Sequence, residues 1–247
     1  MSADKKNAGP PQVFFAPAGG RLGRSSRAGG RANLAAKLRI TEIFHSIQGE
    51  SSRVGLPTVF VRLTGCPLRC VWCDTEYAFT GGELTDVAAV LKRVAAFNCR
   101  TACVTGGEPL AQKPCLDLLT ALCNAGYSVS LETSGALDIS AVDSRVARIM
   151  DLKAPDSGES ARNHWENLEH LTASDELKFV LASEADYRWA SNVLRDKKLL
   201  QRCPVLFSPV QGQLDPAQLA EWVLRDKLPV RFQLQLHKVL WGAVAGR

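Results

Sequence analysis

Alternation of strand-like and helix-like segments is the feature that most constrains the fold of this chain. From Arg39 onward, short runs rich in β-branched residues alternate with segments whose apolar residues recur at helical spacing. This alternation is typical of βα units around a mainly parallel sheet. The predicted strands are 58–64, 101–105, 128–132, 148–152, 176–181, 205–208 and 230–236. The predicted helices are 86–97, 114–125, 184–194 and 216–224, with Thr85 preceding the first and Asp215-Pro216 opening the last.

Length and charge indicate one α/β domain after a basic leader. The chain has 247 residues, of which 46% are hydrophobic, enough to bury a single core. Residues 1–38 carry seven lysines and arginines against Asp4, a net charge of +6, whereas the whole chain has +5, so the remainder has −1. We therefore predict a disordered basic leader over 1–38 and a folded domain over 39–247, with a transit peptide as an alternative for the leader.

The sequence predicts a soluble, cytoplasmic protein. No apolar run approaches the roughly 18 residues of a membrane span, and no apolar signal-peptide stretch is present near Met1. Because the body outside the leader is close to neutral, direct binding to nucleic acid is not expected.

The cysteines give the first indication of chemistry. Of the eight cysteines, Cys66, Cys70 and Cys73 follow an apolar strand in a C-x3-C-x2-C arrangement. Iron-sulfur clusters are usually held by four thiolates, so three would leave one iron open to another molecule. S-adenosylmethionine (SAM) could occupy that iron, where a cluster electron would cleave it to a radical. The alternatives are a structural zinc with His45 as fourth ligand, or three inert thiols.

A glycine-rich turn after the next strand strengthens this interpretation. The segment Thr105-Gly106-Gly107-Glu108-Pro109, together with the cysteine spacing, resembles the radical SAM superfamily. In that superfamily such a turn binds the SAM amino group, since glycines permit close backbone approach and the acid accepts its protons. Taken alone, the segment would indicate only an ordinary turn.

Further segments resemble the 7-carboxy-7-deazaguanine synthase family from about Arg39 to Lys238. They are Ile43 to Glu50, Phe60 to Gly65, Cys73-Asp74-Thr75 and Leu236-His237-Lys238. The resemblance implies an incomplete, modified (β/α) barrel of the radical SAM type that assembles as a homodimer and receives electrons from an external donor. It implies the ring contraction of 6-carboxy-5,6,7,8-tetrahydropterin to 7-carboxy-7-deazaguanine with loss of ammonia, a carbon-nitrogen lyase reaction that feeds queuosine and other 7-deazapurines.

The resemblance also assigns roles to residues. Cys66, Cys70 and Cys73 would hold the [4Fe-4S] cluster, and the Thr75 hydroxyl would bind Mg²⁺, an ion that prefers oxygen ligands. SAM would contact Trp72, Cys73, Asp74, Gly107, Glu108, Ser134, Asp151, Leu152, Lys153, Ser208, Pro209, Val210 and Gln211. The pterin would contact Ile47, Gln48, Gly49, Glu50, Arg62, Thr105 and His237, with Arg62 pairing with the substrate carboxylate.

Each assignment has a structural alternative. Residues 47–50 could form a polar turn, Arg62 a surface salt bridge, and Thr75 a helix cap. Trp72 could pack in the core, Lys153 could be solvated, and His237, placed at the end of the predicted strand 230–236, could be a structural group. The chain also departs from the family's pattern. It has Ser208-Pro209 where relatives often have Gln-Pro, and it continues to Arg247 where some relatives end at a proline whose carboxylate serves the site.

Two other functions remain open from sequence. An activase that makes a glycyl radical on a protein partner can use the same cysteine spacing, but it gives no reason for Gln48, Glu50, Arg62 and His237 together. A zinc-stabilised nucleic-acid-binding module would use the basic leader.

Overall fold

The computed structural model describes residues 30–242, 244 and 246, which build one nine-stranded sheet with helices on its outer face. The strand order is β3-β1-β2-β4-β5-β6-β7-β8-β9. Neighbours from β2 to β9 are parallel, whereas β1 is antiparallel to β2 and to β3. The sheet curves without closing, so the predicted incomplete (β/α) barrel is confirmed.

The strands and helices follow the predicted alternation closely. The strands are β1 (Lys37–Ile47), β2 (Pro57–Leu63), β3 (Glu83–Asp86), β4 (Thr101–Gly106), β5 (Ser128–Thr133), β6 (Ala147–Asp151), β7 (Glu176–Leu181), β8 (Val205–Pro209) and β9 (Arg231–Phe232). The α-helices are α1 (Val87–Ala95), α2 (Cys115–Asn124), α3 (Glu184–Asp196), α4 (Pro216–Arg225) and α5 (Leu236–Trp241).

Side chains at the helix starts explain where α1 and α4 begin. Asp215 accepts a hydrogen bond from the Ala217 amide at 2.9 Å, and Pro216 occupies the first helical position as predicted. For α1 the predicted start was wrong by one residue, because Asp86 rather than Thr85 accepts from the Ala89 amide at 2.8 Å. Thr85 belongs to β3.

The predicted strand 230–236 is wrong at its carboxyl end. Only Arg231 and Phe232 pair with β8, and a helix begins at Leu236. The intervening segment leaves the sheet because Gln233 makes two hydrogen bonds to the backbone of Ser51, at 2.7 and 2.8 Å. The Leu236 amide likewise donates to the Gly49 carbonyl at 2.9 Å.

These contacts fix a loop beneath the barrel that we call the base loop, residues 48–56. At the amino-terminal end of β7, Glu176 accepts hydrogen bonds from the Ser52 amide and hydroxyl. At the amino-terminal end of β5, the Ser128 hydroxyl accepts from Arg53 at 2.9 Å. The base loop therefore lies across the lower ends of the parallel strands, where it can present side chains to the barrel interior.

A continuous apolar core lies between the sheet and the outer helices. Tyr187 of α3 packs against Phe207 of β8 and Trp222 of α4, with ring centroids 6.1 and 5.3 Å away. The Tyr187 hydroxyl donates to the Trp222 carbonyl at 2.9 Å, so its polar end is satisfied. This core packs against β7 and β8 beneath the site described below.

The division of the chain at residue 38 stays a prediction, since residues 1–29 lie outside the described part. The buried Leu38 and its neighbour Lys37 already belong to β1. Over residues 30–242, 244 and 246, no helix is both long and apolar enough to cross a bilayer.

Candidate active site

A cavity of about 490 Å³ occupies the barrel interior toward the carboxyl ends of the parallel strands. Its wall combines the cysteine segment after β2, the glycine turn after β4, the ends of β5 and β6, the base loop and the segment after β9. In parallel α/β folds this edge of the sheet is where ligands bind. Most of the residues singled out from the sequence meet here.

The three motif cysteines lie half-buried on one side of this cavity as free thiols. Arg69 stabilises their loop, donating to the carbonyls of Cys66 and Leu68 at 2.8 and 2.6 Å, and its guanidinium stacks on Phe79 at 4.2 Å. Burial raises the pKa values of the Cys66 and Cys70 thiols. The loop thus presents soft sulfur ligands to an enclosed space.

These thiols fit an iron-sulfur cluster better than a zinc ion. His45, the candidate fourth zinc ligand, is exposed on β1 beside Phe97, with ring centroids 5.9 Å apart, and does not line the cavity. Among the described residues, no three His, Cys, Asp or Glu side chains surround one point as a single metal ion requires. In a cubane, each thiolate binds a different iron, so three facing thiols suffice and one iron stays open.

The glycine turn packs directly against the cysteine segment. A Cβ on Gly107 would lie 2.3 Å from the Gly65 carbonyl oxygen and 2.8 Å from the Cys66 Cβ. Only glycine fits such an approach. The neighbouring Glu108 is fully buried, and its carboxylate accepts from the Ser134 amide at 2.7 Å and from the Thr133 hydroxyl at 3.0 Å. Glu108 therefore supports the turn from behind, while Ser134 reaches the wall.

Polar side chains of the base loop face Glu132 of β5 and Lys178 of β7. Gln48 donates from Nε2 to Glu132 Oε1 at 3.2 Å, and the Thr105 hydroxyl donates to Glu132 Oε2 at 2.9 Å. The Glu50 carboxylate accepts from Lys178 Nζ and from Gln235 Nε2. Ionised carboxylates are acceptors only, so this part of the cavity favours a ligand with several N–H donors.

Arg62 brings a guanidinium to the cavity wall beside Thr105, its register partner on β4. Its Nε donates to Glu42 Oε1 at 2.7 Å, and the Tyr77 hydroxyl donates to the same oxygen at 2.9 Å. The Arg62 Cζ atom lies 5.6 Å from the centroid of the Phe44 ring and 5.8 Å from that of Tyr77. Within the described residues, its terminal nitrogens have no hydrogen-bond partner. The salt bridge that the sequence analysis gave as an alternative for Arg62 is present, but it lies inside the cavity wall. It leaves the two terminal nitrogens of Arg62 available to a ligand.

Opposite charges alternate between the end of β6 and the middle of β7. Lys153 Nζ lies 3.0 Å from Asp151 Oδ2, and Lys178 Nζ lies 3.7 Å from the same oxygen. Lys153 is therefore paired and only 16% exposed, rather than solvated. Asp151 Oδ1 is buried without a partner among the described residues. An unsatisfied buried acceptor on the cavity wall is suited to a donor from a bound molecule.

Comparison with known proteins decides the family. The Radical SAM superfamily matches residues 60–156, which include the cysteine motif and the glycine turn. The chain is 49% identical over 211 residues to the 7-carboxy-7-deazaguanine synthase of Chlorobaculum tepidum, covering 84% of this chain and 96% of that protein. This chain belongs to the 7-carboxy-7-deazaguanine synthase family. The family member from Koribacter versatilis is 41% identical over 221 residues, covering 83% of this chain and 97% of that protein.

The fold agrees with this membership. The crystal structure of QueE from Escherichia coli superposes with a TM-score of 0.69 at 21% identity, covering 81% of this chain and 95% of that chain. The 7-carboxy-7-deazaguanine synthase family thus accounts for the incomplete barrel, and the matches do not favour the glycyl-radical activase.

Most residues that the family resemblance assigned lie on the cavity wall. The wall includes Ile47, Gln48, Gly49, Glu50, Arg62, Cys66, Cys70, Trp72, Cys73, Asp74, Thr75, Thr105, Gly107, Ser134, Asp151, Lys153, Val210, Gln211 and His237. Four assigned residues are buried behind it: Glu108, Leu152, Ser208 and Pro209. Their ligand contacts stay predictions, and the structure gives them a supporting position.

His237 was predicted at the end of a strand, but it is the second residue of α5. Its ring packs against Gly49, where an added Cβ would lie 2.2 Å from His237 Nδ1. This contact explains why a glycine occupies position 49. His237 thereby lies in the cavity near Glu50 despite the wrong secondary-structure prediction.

The residues after the last motif cysteine form a short turn at the cavity mouth. Thr75 precedes the 3-10 helix Glu76–Ala78, but its side chain makes no capping hydrogen bond, so the cap alternative is not supported. Its hydroxyl lies 3.8 Å from the Cys73 sulfur. Asp74 pairs with Lys238 of α5 at 2.9 Å, which connects the cysteine segment to the segment after β9.

Sequence reasoning missed several polar groups in or beside the cavity: Glu42, Tyr77, Glu132, Lys178, Gln235 and Lys238. Lys178 left a signal, because it is a charge inside the otherwise apolar run of β7. Glu132 immediately precedes the Thr133-Ser134-Gly135 segment, so its position at a strand end was also visible. Glu42 and Gln235 left none, since their roles depend on contacts with distant parts of the chain.

Proposed function

We propose that this protein is a 7-carboxy-7-deazaguanine synthase. It converts 6-carboxy-5,6,7,8-tetrahydropterin to 7-carboxy-7-deazaguanine and releases ammonia, which makes it a carbon-nitrogen lyase. The observation that carries the proposal is one cavity lined both by the three motif thiols and by the Gln48, Glu50 and Arg62 side chains. Family membership with relatives of that name supports the same reaction.

Cys66, Cys70 and Cys73 would hold a [4Fe-4S] cluster with SAM bound at its open iron. Together these cofactors supply an electron and a radical that takes a hydrogen atom from the substrate. The proposed SAM contacts are the wall residues Trp72, Asp74, Gly107, Ser134, Asp151 and Lys153, with Val210 and Gln211 farther along. We also propose Thr75 as an Mg²⁺ ligand, since its hydroxyl is not used by the adjacent turn.

The chain's own groups bind and orient the pterin. The free terminal nitrogens of Arg62 would bind the substrate carboxylate in a bidentate pair, while Glu42 fixes the guanidinium from behind. Gln48 and Glu50 would bind the polar edge of the heterocycle. The stacked rings of Phe44 and Phe60, with centroids 5.0 Å apart, line the same wall and help exclude water from a reactive intermediate.

Assembly and location are further proposals. A homodimer, an external electron donor and a cytoplasmic location follow from the family resemblance, and size-exclusion chromatography of the holoprotein would test the first. Direct binding to nucleic acid is not proposed, because the proposed substrate is a small molecule.

The experiment is anaerobic turnover of the tetrahydropterin by reconstituted protein with SAM, Mg²⁺ and a reductant, followed by mass spectrometry. The expected result is 7-carboxy-7-deazaguanine together with 5'-deoxyadenosine. Formation of 5'-deoxyadenosine alone would contradict the substrate but not the cofactors. Neither product from protein with an intact, reducible cluster would contradict the enzyme itself. A Cys70→Ala variant is the control, since it removes one thiol of the motif.

A further inference from the structure

Lys178 is a buried cation to which neither the sequence nor the family resemblance assigns a role. It lies in the middle of β7, its side chain is 12% exposed, and it lines the cavity. An ammonium at such a position is costly unless carboxylates pair with it. Its partners therefore indicate why a lysine stands there.

Lys178 connects two parts of the cavity. Its Nζ atom contacts Glu50 Oε2 from the base loop and lies 3.7 Å from Asp151 Oδ2 on the adjacent strand β6. Asp151 and Lys178 are register partners in the sheet, so their proximity is fixed by backbone pairing. Lys153 contacts the other side of Asp151 at 3.0 Å. Charges thus alternate from the proposed SAM side to the proposed pterin side.

Both oxygens of Glu50 are held. Oε2 accepts from Lys178, and Oε1 accepts from Gln235 Nε2 at 2.6 Å. Burial opposes ionisation of this carboxyl, but the charge and hydrogen bond of Lys178, together with Gln235 and His237, outweigh burial and lower the pKa of Glu50 to about 2. The other charged or titratable groups around the pair are His237 beside Glu50, and Asp151 and Glu132 beside Lys178. Each carboxylate oxygen keeps a lone pair that can accept from a ligand.

We propose that Lys178 is a positioning residue that holds Glu50 as an oriented anion, so that Glu50 accepts hydrogen bonds from the N–H edge of the pterin. This inference rests on the proposed function and deepens it. Without Lys178, Glu50 would lie near Asp151 and Glu132 in a buried site with reduced positive charge. Burial and repulsion would then favour a protonated Glu50, which presents a donor where the pterin requires an acceptor.

The test is equilibrium binding rather than turnover. Anaerobic titration calorimetry would measure the Kd of 6-carboxy-5,6,7,8-tetrahydropterin between pH 6 and 9 for the wild type and Lys178→Met, both with cluster and SAM but no reductant. We expect the ratio of the two Kd values to reach about tenfold or more at pH 6 and to fall as the pH rises, since buried glutamates can titrate near pH 8. Titration of the ligand occurs with both proteins, so the ratio isolates the effect of removing Lys178.

Arg148→Met is the matched control, because Arg148 is a buried cation on the neighbouring strand that pairs with Asp175 outside the cavity. Arg148→Met should lower the free energy of unfolding, but its Kd ratio to the wild type should not vary with pH. Lys178→Arg keeps a cation beside Glu50, so its Kd ratio to the wild type should not vary with pH. A ratio for Lys178→Met that is constant from pH 6 to 9 would overturn the proposal.

A second measurement keeps the proposal testable if Lys178→Met does not fold. Because Glu50 is ionised throughout this range in the wild type, Glu50→Gln should weaken binding by the same factor at every pH. A factor that shrinks toward pH 6 would show that Glu50 titrates despite Lys178 and would overturn the proposal. Failure of the wild type to bind the pterin at any pH would instead refute the proposed function from which the inference starts.

Discussion

Replacement of Gly49 by alanine tests whether the base loop and α5 form one unit. The added Cβ would lie 2.2 Å from His237 Nδ1, 2.9 Å from its Cγ and 3.0 Å from its Cβ. A ring could rotate away from the first atom, but the last contact is next to the backbone of α5. The hydrogen bond from the Leu236 amide to the Gly49 carbonyl, 2.9 Å long, limits any separation of the two segments.

The expected cost follows from these contacts. Overpacking of this kind typically lowers the free energy of unfolding by about 1–3 kcal/mol. Displacement of His237 would also remove a proposed substrate contact, and a hydrogen bond worth about 1 kcal/mol corresponds to a roughly fivefold rise in KM. Urea unfolding and steady-state turnover of the Gly49→Ala variant would measure the two effects.

A double-mutant cycle with His237→Ala isolates the steric origin. In the His237→Ala background the imidazole is gone, so Gly49→Ala should cost less by at least about 1 kcal/mol. Equal destabilisation in both backgrounds would refute the reasoning, since the cost would then come from the conformation of residue 49 itself.

Three further predictions concern other contacts. Glu42→Gln weakens the ion pair that fixes Arg62, so the KM for the pterin should rise about three- to tenfold with less effect on kcat, whereas an unchanged KM would contradict the assigned role of Glu42. Burial opposes ionisation of Asp175, but hydrogen bonds from Arg148 and Thr172 together outweigh burial and lower the pKa of this carboxyl. The stabilising effect of the ionised Asp175 is therefore present above the unfolded pKa near 3.9 and is lost as the pH falls through the folded pKa. Urea unfolding between pH 2 and 6 should show a weaker pH dependence of the free energy of unfolding in Asp175→Asn. Cys70→Ala should lower bound iron after anaerobic reconstitution without a comparable loss in Cys203→Ala, measured by metal analysis, and equal iron in both variants would contradict the cluster assignment.

Strands and helices could be predicted where the spacing of apolar residues in the sequence matches the pattern of buried residues in the structure. The strands β4 to β8 and the four longer helices carry apolar residues at the expected periods, so their positions were visible in the sequence. β1 was missed because only Leu38 and Ile40 are fully buried, and residues 41–47 are half-buried on both faces apart from the exposed His45. β3 is a four-residue edge strand, and its exposed Glu83 and Leu84 give no alternation to detect.

The residues of the candidate site also differ in whether a local sequence pattern reveals them. Cysteines, glycines and strand-end polar residues could be predicted because their roles depend on position within a short segment. Lys178 and Gln235 could not, since they meet Glu50 across 128 and 185 residues of sequence. Such pairings arise from the register of β6 and β7 and from the path of the segment after β9, and neither is encoded in local periodicity.

The open side of the barrel explains why these distant residues gather around the proposed pterin site. β9 has two residues and, among the described strands, pairs only with β8, so the segment after it contacts the base loop through Gln233, Leu236 and His237. Farther along the chain, a Cβ on Gly246 would lie 3.4 Å from Glu42 Oε2 on β1. Two carboxylates therefore lie beside the residues that follow β9: Glu42, which fixes Arg62, and Glu50, which Lys178 fixes. A barrel closed by regular strand pairing would leave no such path, so its incomplete closure is what allows side chains from both ends of the domain to line one cavity.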